Sequence, residues 1–332
     1  MITLLSSILT FLLMAEFVLG NFANGFIVLV NYNDWVKTRK FSLADQMIVA
    51  LAISRIGFFC VLLIVWYTVF FDVSSYSLEV FIFISMTWVV SYHSSIWLAT
   101  SLSIFYLLKI ANFSNLLFLY LKRRVKRVVL IILMGSLVIF MFNLPLAILD
   151  ENVWVNQHRG NRTVRSKREK IIRLSNMSVF TLTTFTAFTM SLTSFVLLIF
   201  SLWKHLRNMQ AEGKESQDPS TEVHIRAIKT MTSYLLLLAC YFVSLLIPVW
   251  SSNRMRNRTI LLVFQSSLGL YPSIHSFFLI WGNKKLQQSF LSFLCQLRLR
   301  LKERKRTLFA SCRKQTDESP TLSSSTAFSM RI

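Results

Sequence analysis

The chain has 332 residues, of which 54% are hydrophobic and only 15% are charged, and its formal net charge is +21 at pH 7. A soluble protein of this size could not cover so much apolar surface, and the hydrophobic residues stand in long blocks instead of alternating stripes. The composition therefore excludes an ordinary water-soluble enzyme or binding domain and predicts an integral membrane protein.

Seven apolar blocks follow one another along the chain, and a block of about 20 residues spans the hydrocarbon core when it is helical. Backbone groups in lipid must form hydrogen bonds within their own segment, so each block is predicted to be a helix. The blocks are Ile2–Val30, Met47–Phe71, Val80–Leu108, Val128–Leu149, Met177–Leu202, Met231–Val249 and Ile260–Trp281. We predict an all-α fold, a seven-transmembrane helix bundle.

The segment after the seventh block predicts a short amphipathic cytoplasmic helix. Its apolar residues recur at helical spacing, with Lys, Gln and Arg between them, as in helices that lie on a membrane surface. Cys295 stands beside this stripe and is a palmitoylation candidate. The Ser/Thr-rich end of the chain predicts disorder. The predicted domains are residues 1–282 for the bundle, 283–300 for the amphipathic helix and 301–332 for a disordered cytoplasmic tail.

The distribution of basic residues predicts the orientation in the membrane, because Lys and Arg are concentrated in cytoplasmic loops. They are frequent in the first, third and fifth loops and after the seventh block, so we expect an extracellular N-terminus and a cytoplasmic C-terminus. The loop between the fourth and fifth blocks is also basic and counts against this orientation. Three Asn-x-Ser/Thr sequons on the predicted outer side favour it, and they predict glycosylation at Asn161, Asn176 and Asn257.

Local motifs are more specific than the topology, which receptors and transporters share. In chain order they are EFVLGNFANGFI (16–27), LAISR (51–55), LATSLSIFYLLKIANFS (98–114), LYLKRRV (119–125), FSLWKH (200–205), DPSTEVHIRA (218–227) and YPSIHSFFLIWGNKKL (271–286). Their order and spacing resemble the bitter taste receptor type 2 family of G protein-coupled receptors, from the first helix to about residue 300. The Asp-Arg-Tyr and Asn-Pro-x-x-Tyr motifs of rhodopsin-like receptors are absent; Phe105–Lys109 and His275–Leu279 stand in their places, as in the taste family.

The resemblance implies a plasma-membrane receptor that binds small bitter compounds and activates a gustducin-type heterotrimeric G protein. A vomeronasal-type chemosensory receptor has the same architecture and stays open as an alternative, as does a small-solute transporter. A transporter would need internal repeats or helices broken by Gly and Pro, and only Pro272 hints at this. An oligomer of the receptor is also left open.

One face of the third predicted helix has the composition of a small-molecule pocket. Residues at three- and four-residue spacing share a face of a helix, and this face is aromatic and sparingly polar. It consists of Ser85, Trp88, Tyr92, Ser95 and Ala99, with His93 beside it. Simple packing between helices is the alternative interpretation of such a stripe.

The resemblance adds residues from other helices to this predicted ligand site. Trp88 matches a position that contacts ligands in the family, and Trp66, Tyr241 and Gln265 are implied to line the cavity, with Tyr241 at its floor. Some relatives carry a carboxylate at the position of Gln265, which suits cationic ligands. Because this set contains no acid and the outer loops are basic, our hypothesis is that agonists are neutral or anionic.

Arg55 lies inside an apolar block, where a charged group is costly and requires hydrogen-bond acceptors. We expect Asn24, Ser54 and residues around His275 to supply them and to tie the first, second and seventh helices together. The alternative is that this cluster rearranges on activation. It resembles a network proposed for the family, which here consists of Asn24, Arg55, Tyr271, Pro272 and His275.

The resemblance implies that cytoplasmic helix ends face the G protein, here with Tyr106, Lys109 and His224; the alternative is that the basic residues there only anchor the helices by the positive-inside rule. No Cys/His spacing indicates a metal, and neither a Ser–His–Asp set nor a Gly-rich phosphate loop is present, so we expect no metal, no cofactor and no enzymatic activity. The charge of +21 follows the membrane segments and predicts contact with anionic membrane lipid, not with nucleic acid.

Overall fold

The computed structural model describes residues 4–70, 78–159, 167–211, 235–246 and 258–317. Within these ranges the chain forms nine helices and no strand, so the all-α prediction is confirmed there. The helices are α1 Leu4–Thr38, α2 Leu43–Phe70, α3 Leu78–Ile110, α4 Leu116–Arg123, α5 Val125–Arg159, α6 Lys167–Ala211, α7 Leu235–Leu246, α8 Arg258–Gly282 and α9 Lys284–Asp317.

Polar side chains and one left-handed residue set several helix boundaries. Before α2, the Ser42 hydroxyl accepts a hydrogen bond from the Asp45 backbone N–H at 3.1 Å, and before α4 the Asn115 side chain accepts one from the Leu117 N–H at 2.8 Å. Such residues satisfy the free N–H groups of a first helical turn. At the end of α1, Arg39 has a φ of 55°, a left-handed conformation that stops the helix.

Five of the helices are long and apolar enough to cross a membrane: α1, α2, α3, α5 and α6. The sixth and seventh predicted spans overlap α7 and α8, which are not among these five. α7 is described over Leu235–Leu246 only, and α8 is a helix of 25 residues with Pro272 in its interior. Exposed apolar side chains on α5, such as Leu130, Met134 and Leu137, are suited to contact with lipid.

The chain divides into two compact units, Met1–Leu279 and Ile280–Ile332. In the first unit α3 is the central helix, because it packs against α2, α5 and α6. The apolar core of this unit joins α2, α3, α6, α7 and α8 and includes Phe58, Tyr92, Tyr241 and Tyr271. This core holds the candidate site.

The second unit contains α9, in which the ring of Phe290 lies 5.9 Å from that of Trp281. α9 begins after Asn283, whose side chain accepts a hydrogen bond from the Lys285 N–H at 3.0 Å. The helix continues to Asp317, whereas the sequence predicted disorder from residue 301. Leu, Lys, Arg and Glu dominate this stretch and it contains neither Gly nor Pro, which favours continued helix. Residues 318–332 lie outside the described ranges.

Candidate functional site

A crevice opens among α3, α6, α7 and α8, and its unoccupied space, including the open side, is about 300 Å³. The lining is apolar and aromatic apart from the aliphatic hydroxyls of Thr100 and Ser191 and the phenol hydroxyls of Tyr241 and Tyr271, and none of its residues is charged. It consists of Ile96, Ala99, Thr100, Ala187, Phe188, Ser191, Leu238, Tyr241, Phe242, Leu245 and Tyr271.

Two pairs of hydroxyl groups join α3 to α6, one in the lining of this crevice and one outside it. The hydroxyls of Thr100 and Ser191 lie 2.9 Å apart. Earlier in the same two helices, the hydroxyl of Tyr92 lies 2.6 Å from that of Thr184. Since Thr184 gives its own proton to the Phe180 carbonyl at 2.7 Å, Tyr92 is the donor in this pair. These two hydrogen-bonded pairs hold α3 against α6, and the two helices form one side of the crevice.

Stacked aromatic rings connect the crevice to His275 and Arg55. The rings of Tyr241 in α7 and Tyr271 in α8 stack with centroids 4.4 Å apart and planes at 17°. The Tyr271 ring in turn stacks on His275 at 5.5 Å and lies 5.8 Å from the guanidinium carbon of Arg55. A group that displaces Tyr241 therefore pushes on a ring that also contacts Arg55 and His275.

Arg55 is fully buried, with 0% of its surface exposed, and it joins three helices. Its guanidinium donates to the Ser276 hydroxyl at 3.1 Å and to Nδ1 of His275. The Ser276 hydroxyl donates to Asn24 Oδ1 at 2.9 Å and also lies 2.8 Å from the Pro272 carbonyl, so its single proton is shared. The structure thus brings together all five residues of the predicted network, and Ser276 bonds to three of them, Arg55, Asn24 and Pro272.

Ser54 was the other expected acceptor for Arg55. Its hydroxyl donates to the Leu51 carbonyl of its own helix at 2.8 Å, which is a common way for a serine to satisfy itself inside a helix. Ser276 was not identified individually from the sequence, although the expectation of acceptors around His275 covers it. The signal that could have identified it is a hydroxyl one residue after a histidine on the helix opposite a buried arginine.

Three of the six predicted ligand residues belong to the shared core. Tyr92 and Tyr241 are buried in it, and Trp88 packs against it with its ring 5.1 Å from that of Phe58 in α2. Of the six, only Tyr241 lines the crevice itself. From the predicted face of α3, Ala99 also lines it, whereas Ser85 lines a separate crevice between α3 and α5 of about 190 Å³.

The other three predicted ligand residues lie elsewhere. His93 turns toward α5, where its ring lies 5.0 Å from that of Phe140 and it forms a hydrogen bond with the Ser136 backbone. Trp66 is half-buried in α2. Gln265 in α8 is only 4% exposed, and its amide atoms have no hydrogen-bond partner among the described residues.

Glu16 of α1 lies against α8 close to Gln265. Its carboxylate packs on the Cα of Gly269, so a methyl group there would collide with it. Gln265 precedes Gly269 by one helical turn and lies on nearly the same face of the helix. An acidic side chain thus approaches the region of Gln265, a neighbour that the sequence pattern did not indicate.

The predicted G protein-facing residues are partly described. Tyr106 packs against a small cluster of Leu107, Ala111 and Leu198 where α3 ends beside α6, and Lys109 is exposed in the last turn of α3. His224 lies outside the described residues.

The candidate modification sites differ in their surroundings. Asn161 and Asn257 lie outside the described residues. Asn176 lies inside α6, half-buried, and its amide nitrogen donates to Asp150 at 3.0 Å. An N-glycan is attached at that nitrogen, so glycosylation there would have to break this contact. Cys295 is an exposed free thiol in α9.

Comparison of the sequence with known proteins finds relatives over the part of the chain that contains the candidate site. The chain matches the taste receptor protein family (TAS2R) over residues 1–298. It is 51% identical over 298 residues to taste receptor type 2 member 50 of Homo sapiens, which covers 90% of this chain and 100% of that protein. It is also 51% identical over 297 residues to taste receptor type 2 member 19 of Pan paniscus, covering 90% of this chain and 99% of that protein.

Proposed function

Because this chain belongs to the taste receptor type 2 family of G protein-coupled bitter taste receptors, we propose that it binds small bitter compounds in the crevice among α3, α6, α7 and α8. Binding there activates a gustducin-type heterotrimeric G protein. The chain is a multi-pass membrane protein and not an enzyme, and its family membership removes the vomeronasal receptor and transporter alternatives. The observation that carries the proposal is that Tyr241 both lines the crevice and stacks on Tyr271.

The proposed topology has seven spans, with the N-terminus outside the plasma membrane and the C-terminus in the cytoplasm. Five helices with the length and hydropathy of spans support it, and α7 and α8 supply the sixth and seventh. α9 follows at the cytoplasmic surface, where membrane lipid is its partner. Asn161 and Asn257 are the preferred glycosylation sites, because Asn176 is engaged with Asp150. Exposure supports Cys295 as the palmitoylation site.

Ligand selectivity follows from the chemistry of the lining. Since no crevice residue is charged, neutral compounds are preferred, with the hydroxyls of Thr100 and Ser191 as their hydrogen-bond partners. Trp88 and Tyr92 extend the site toward its outer end, and Trp66 and Gln265 are contacted by larger ligands that spread beyond the crevice, whereas His93 faces α5.

Activation is proposed to pass from the crevice to the Arg55 network. A ligand that moves Tyr241 changes the position of Tyr271 and thereby favours a second arrangement of Arg55, His275 and Ser276. The inner ends of the helices then separate, and the G protein docks against Tyr106, Lys109 and His224. A receptor oligomer is compatible with this scheme but is not required by it.

Calcium release in cells that coexpress a chimeric Gα subunit with a gustducin-type C-terminus tests the proposal. We expect at least one compound from a diverse bitter panel to produce a concentration-dependent response. Ala99→Leu, which fills the crevice, should abolish the response at normal surface expression. The matched control is Ala147→Leu, which fills the separate crevice between α3 and α5. Equal loss in both variants, or no loss in Ala99→Leu, would contradict the proposed site.

A further inference from the structure

The separate crevice between α3 and α5 has no role in the proposed activation scheme. Its unoccupied space, including the open side, is about 190 Å³. From α3 it is lined by four residues at spacings of three and four, which share one face of the helix: Ile82, Ser85, Met86 and Val89. From α5 it is lined by four residues at the same spacings: Leu144, Ala147, Ile148 and Glu151. All eight side chains are half-buried, so this opening, the α3–α5 groove, is accessible along its length.

The two helices run in opposite directions along the α3–α5 groove. The ring of His93, after the groove in α3, lies 5.0 Å from that of Phe140, before the groove in α5. Glu151 therefore lies beside Ile82, near the start of α3, and the other end of the groove is at Val89. Each set of lining residues covers seven steps along its helix, so the groove is about 10 Å long at 1.5 Å per residue.

Polar groups are confined to one half of the α3–α5 groove. The carboxylate of Glu151 belongs to the end beside Ile82, and the hydroxyl of Ser85 follows one helical turn later in α3. The other described lining residues are apolar, and none of them is basic. In the proposed topology α3 starts at the outer surface, so the acidic end lies at the membrane interface and the apolar end lies toward the hydrocarbon core.

The charge pattern of the groove favours a cationic ligand with an apolar body. The apolar part packs between the two helices, and the ammonium group donates a charge-assisted hydrogen bond to the Glu151 carboxylate. A carboxylate accepts several hydrogen bonds at once, so the ammonium can bind beside other contacts of Glu151. An anionic ligand would be repelled by Glu151 and also by Glu79, which is exposed in the first turn of α3, one turn before Ile82.

The groove differs in place and in charge from the crevice among α3, α6, α7 and α8. Its α3 residues end at Val89, whereas those of the crevice begin at Ile96, two helical turns later. The described lining of the crevice carries no charge, and that of the groove carries Glu151. The two openings therefore select different ligands, because a charge that stabilises one class of ligand gives no advantage to the other.

We propose that the α3–α5 groove is a second ligand site of this receptor, which binds protonated amines with an apolar body about 10 Å long. Glu151 supplies the counter-charge and Ser85 a further hydrogen-bond partner. The inference goes beyond the proposed function, because neither residue takes part in the proposed activation scheme.

Photo-crosslinking of the full-length receptor in phosphatidylcholine nanodiscs tests the site. Three probes have the same octyl chain with a diazirine near its centre, and they end in a primary amine, an alcohol or a carboxylate. At equal probe concentration in the lipid, we expect the amine to label residues 82–89 and 144–151 about tenfold more than the alcohol, because a hydrogen bond to a charged group is stronger than one between neutral groups. The carboxylate should label them least. Equal labelling by the amine and the alcohol would overturn the proposal.

Two acid variants locate the source of the charge selectivity. Glu151→Gln should reduce labelling by the amine to the level of the alcohol, and unchanged labelling by the alcohol would show that the groove is intact. Glu169→Gln is the matched control, because it removes an acid in the first turn of α6, outside the groove lining, and it should leave the labelling unchanged. Equal effects of the two variants would mean that the selectivity does not come from the groove.

Two filling variants separate the α3–α5 groove from the crevice. Ala147→Leu should abolish labelling of residues 82–89 and 144–151 by the amine, because the added atoms occupy the groove. Ala99→Leu, which fills the crevice, should leave this labelling unchanged. Loss of labelling in Ala99→Leu alone would show that the amine binds in the crevice and that the proposal is wrong.

A membrane lipid chain is the competing occupant of the groove. If the amine and the alcohol label it equally and Glu151→Gln changes neither, the groove is an ordinary lipid-facing surface and the proposal is wrong. The labelling does not depend on G protein coupling. Failure of the calcium-release assay would therefore contradict the proposed function without affecting this test.

Discussion

The ring of Tyr241 lies face to face with that of Tyr271, at a centroid distance of 4.4 Å. Both rings line the crevice, and the Tyr271 ring also contacts His275 and Arg55. The candidate ligand site and the buried polar network therefore share the Tyr271 ring. Coupling between distant sites requires an element with two arrangements that both sites influence, and this stacked pair is the candidate for that element.

Removing the ring of Tyr241 should weaken signalling more than folding. We expect Tyr241→Leu to reduce agonist potency about tenfold, because a stacked aromatic pair contributes about 0.5–1.5 kcal/mol beyond its buried area. Tyr241→Phe keeps the ring and serves as the control. Calcium release normalised to surface receptor provides the measurement; unchanged potency in Tyr241→Leu would show that the stack does not transmit the signal.

The Ser276 hydroxyl should be important for stability. Ser276→Ala leaves the Arg55 guanidinium and the Asn24 carbonyl oxygen without this partner, and an unsatisfied buried polar group costs about 1–3 kcal/mol. We expect a lower unfolding temperature for the purified receptor. Ser267→Ala, on the same helix, is the matched control, because that hydroxyl donates to the carbonyls of Val263 and Phe264 in its own helix. Identical unfolding temperatures for the two variants would exclude a structural role for the Ser276 hydroxyl.

The close contact between α1 and α2 requires a glycine at position 20, because the Phe59 ring occupies the space that a side chain would need. A Cβ at this position would overlap the Phe59 ring, so Gly20→Ala should destabilise the receptor by about 1–3 kcal/mol. The smaller side chain in Phe59→Leu should restore part of this loss. Gly25→Ala, in the same helix with nothing within 4 Å of its added Cβ, should be neutral or stabilising by about 0.5–1 kcal/mol. A Gly20→Ala receptor as stable as Gly25→Ala would mean that α1 and α2 are less closely packed.

An added methyl group should destabilise the receptor less at Gly269 than at Gly20. Its added methyl group would meet the carboxylate of Glu16, which is the end of a flexible side chain and can rotate away. We therefore expect Gly269→Ala to lower the unfolding temperature less than Gly20→Ala does. The double variant with Glu16→Ala should be insensitive to the added methyl group. If Gly269→Ala has the same effect with and without Glu16, the two residues are not in contact.

Hydropathy sufficed to predict the five described helices that are long and apolar enough to cross a membrane, because an apolar block of spanning length has few alternatives in lipid. The grouping of Arg55 with Asn24 and His275 could likewise be anticipated, since a charged group in an apolar helix must find polar partners. Periodicity gives the direction of a side chain around its own helix but not the neighbour that it meets. This is why Ser85 and Ala99, on one predicted face of α3, line different crevices, and why the turn of His93 toward α5 was not foreseen.

The described end of α9 differs from the boundary that the sequence predicts at residue 300. Composition beyond residue 300 is polar and basic, which is common in disordered tails, yet its residues are also good helix formers. The helix reaches Asp317, so helix propensity outweighs the polar composition of this segment.

The most direct test is nucleotide exchange on a purified gustducin heterotrimer in the presence of the purified receptor. We predict that a bitter agonist accelerates GTPγS uptake by the Gα subunit, that Tyr241→Phe preserves this acceleration and that Ala99→Leu abolishes it. The opposite result would be a receptor that binds the agonist and stays folded but leaves the exchange rate at its agonist-free value.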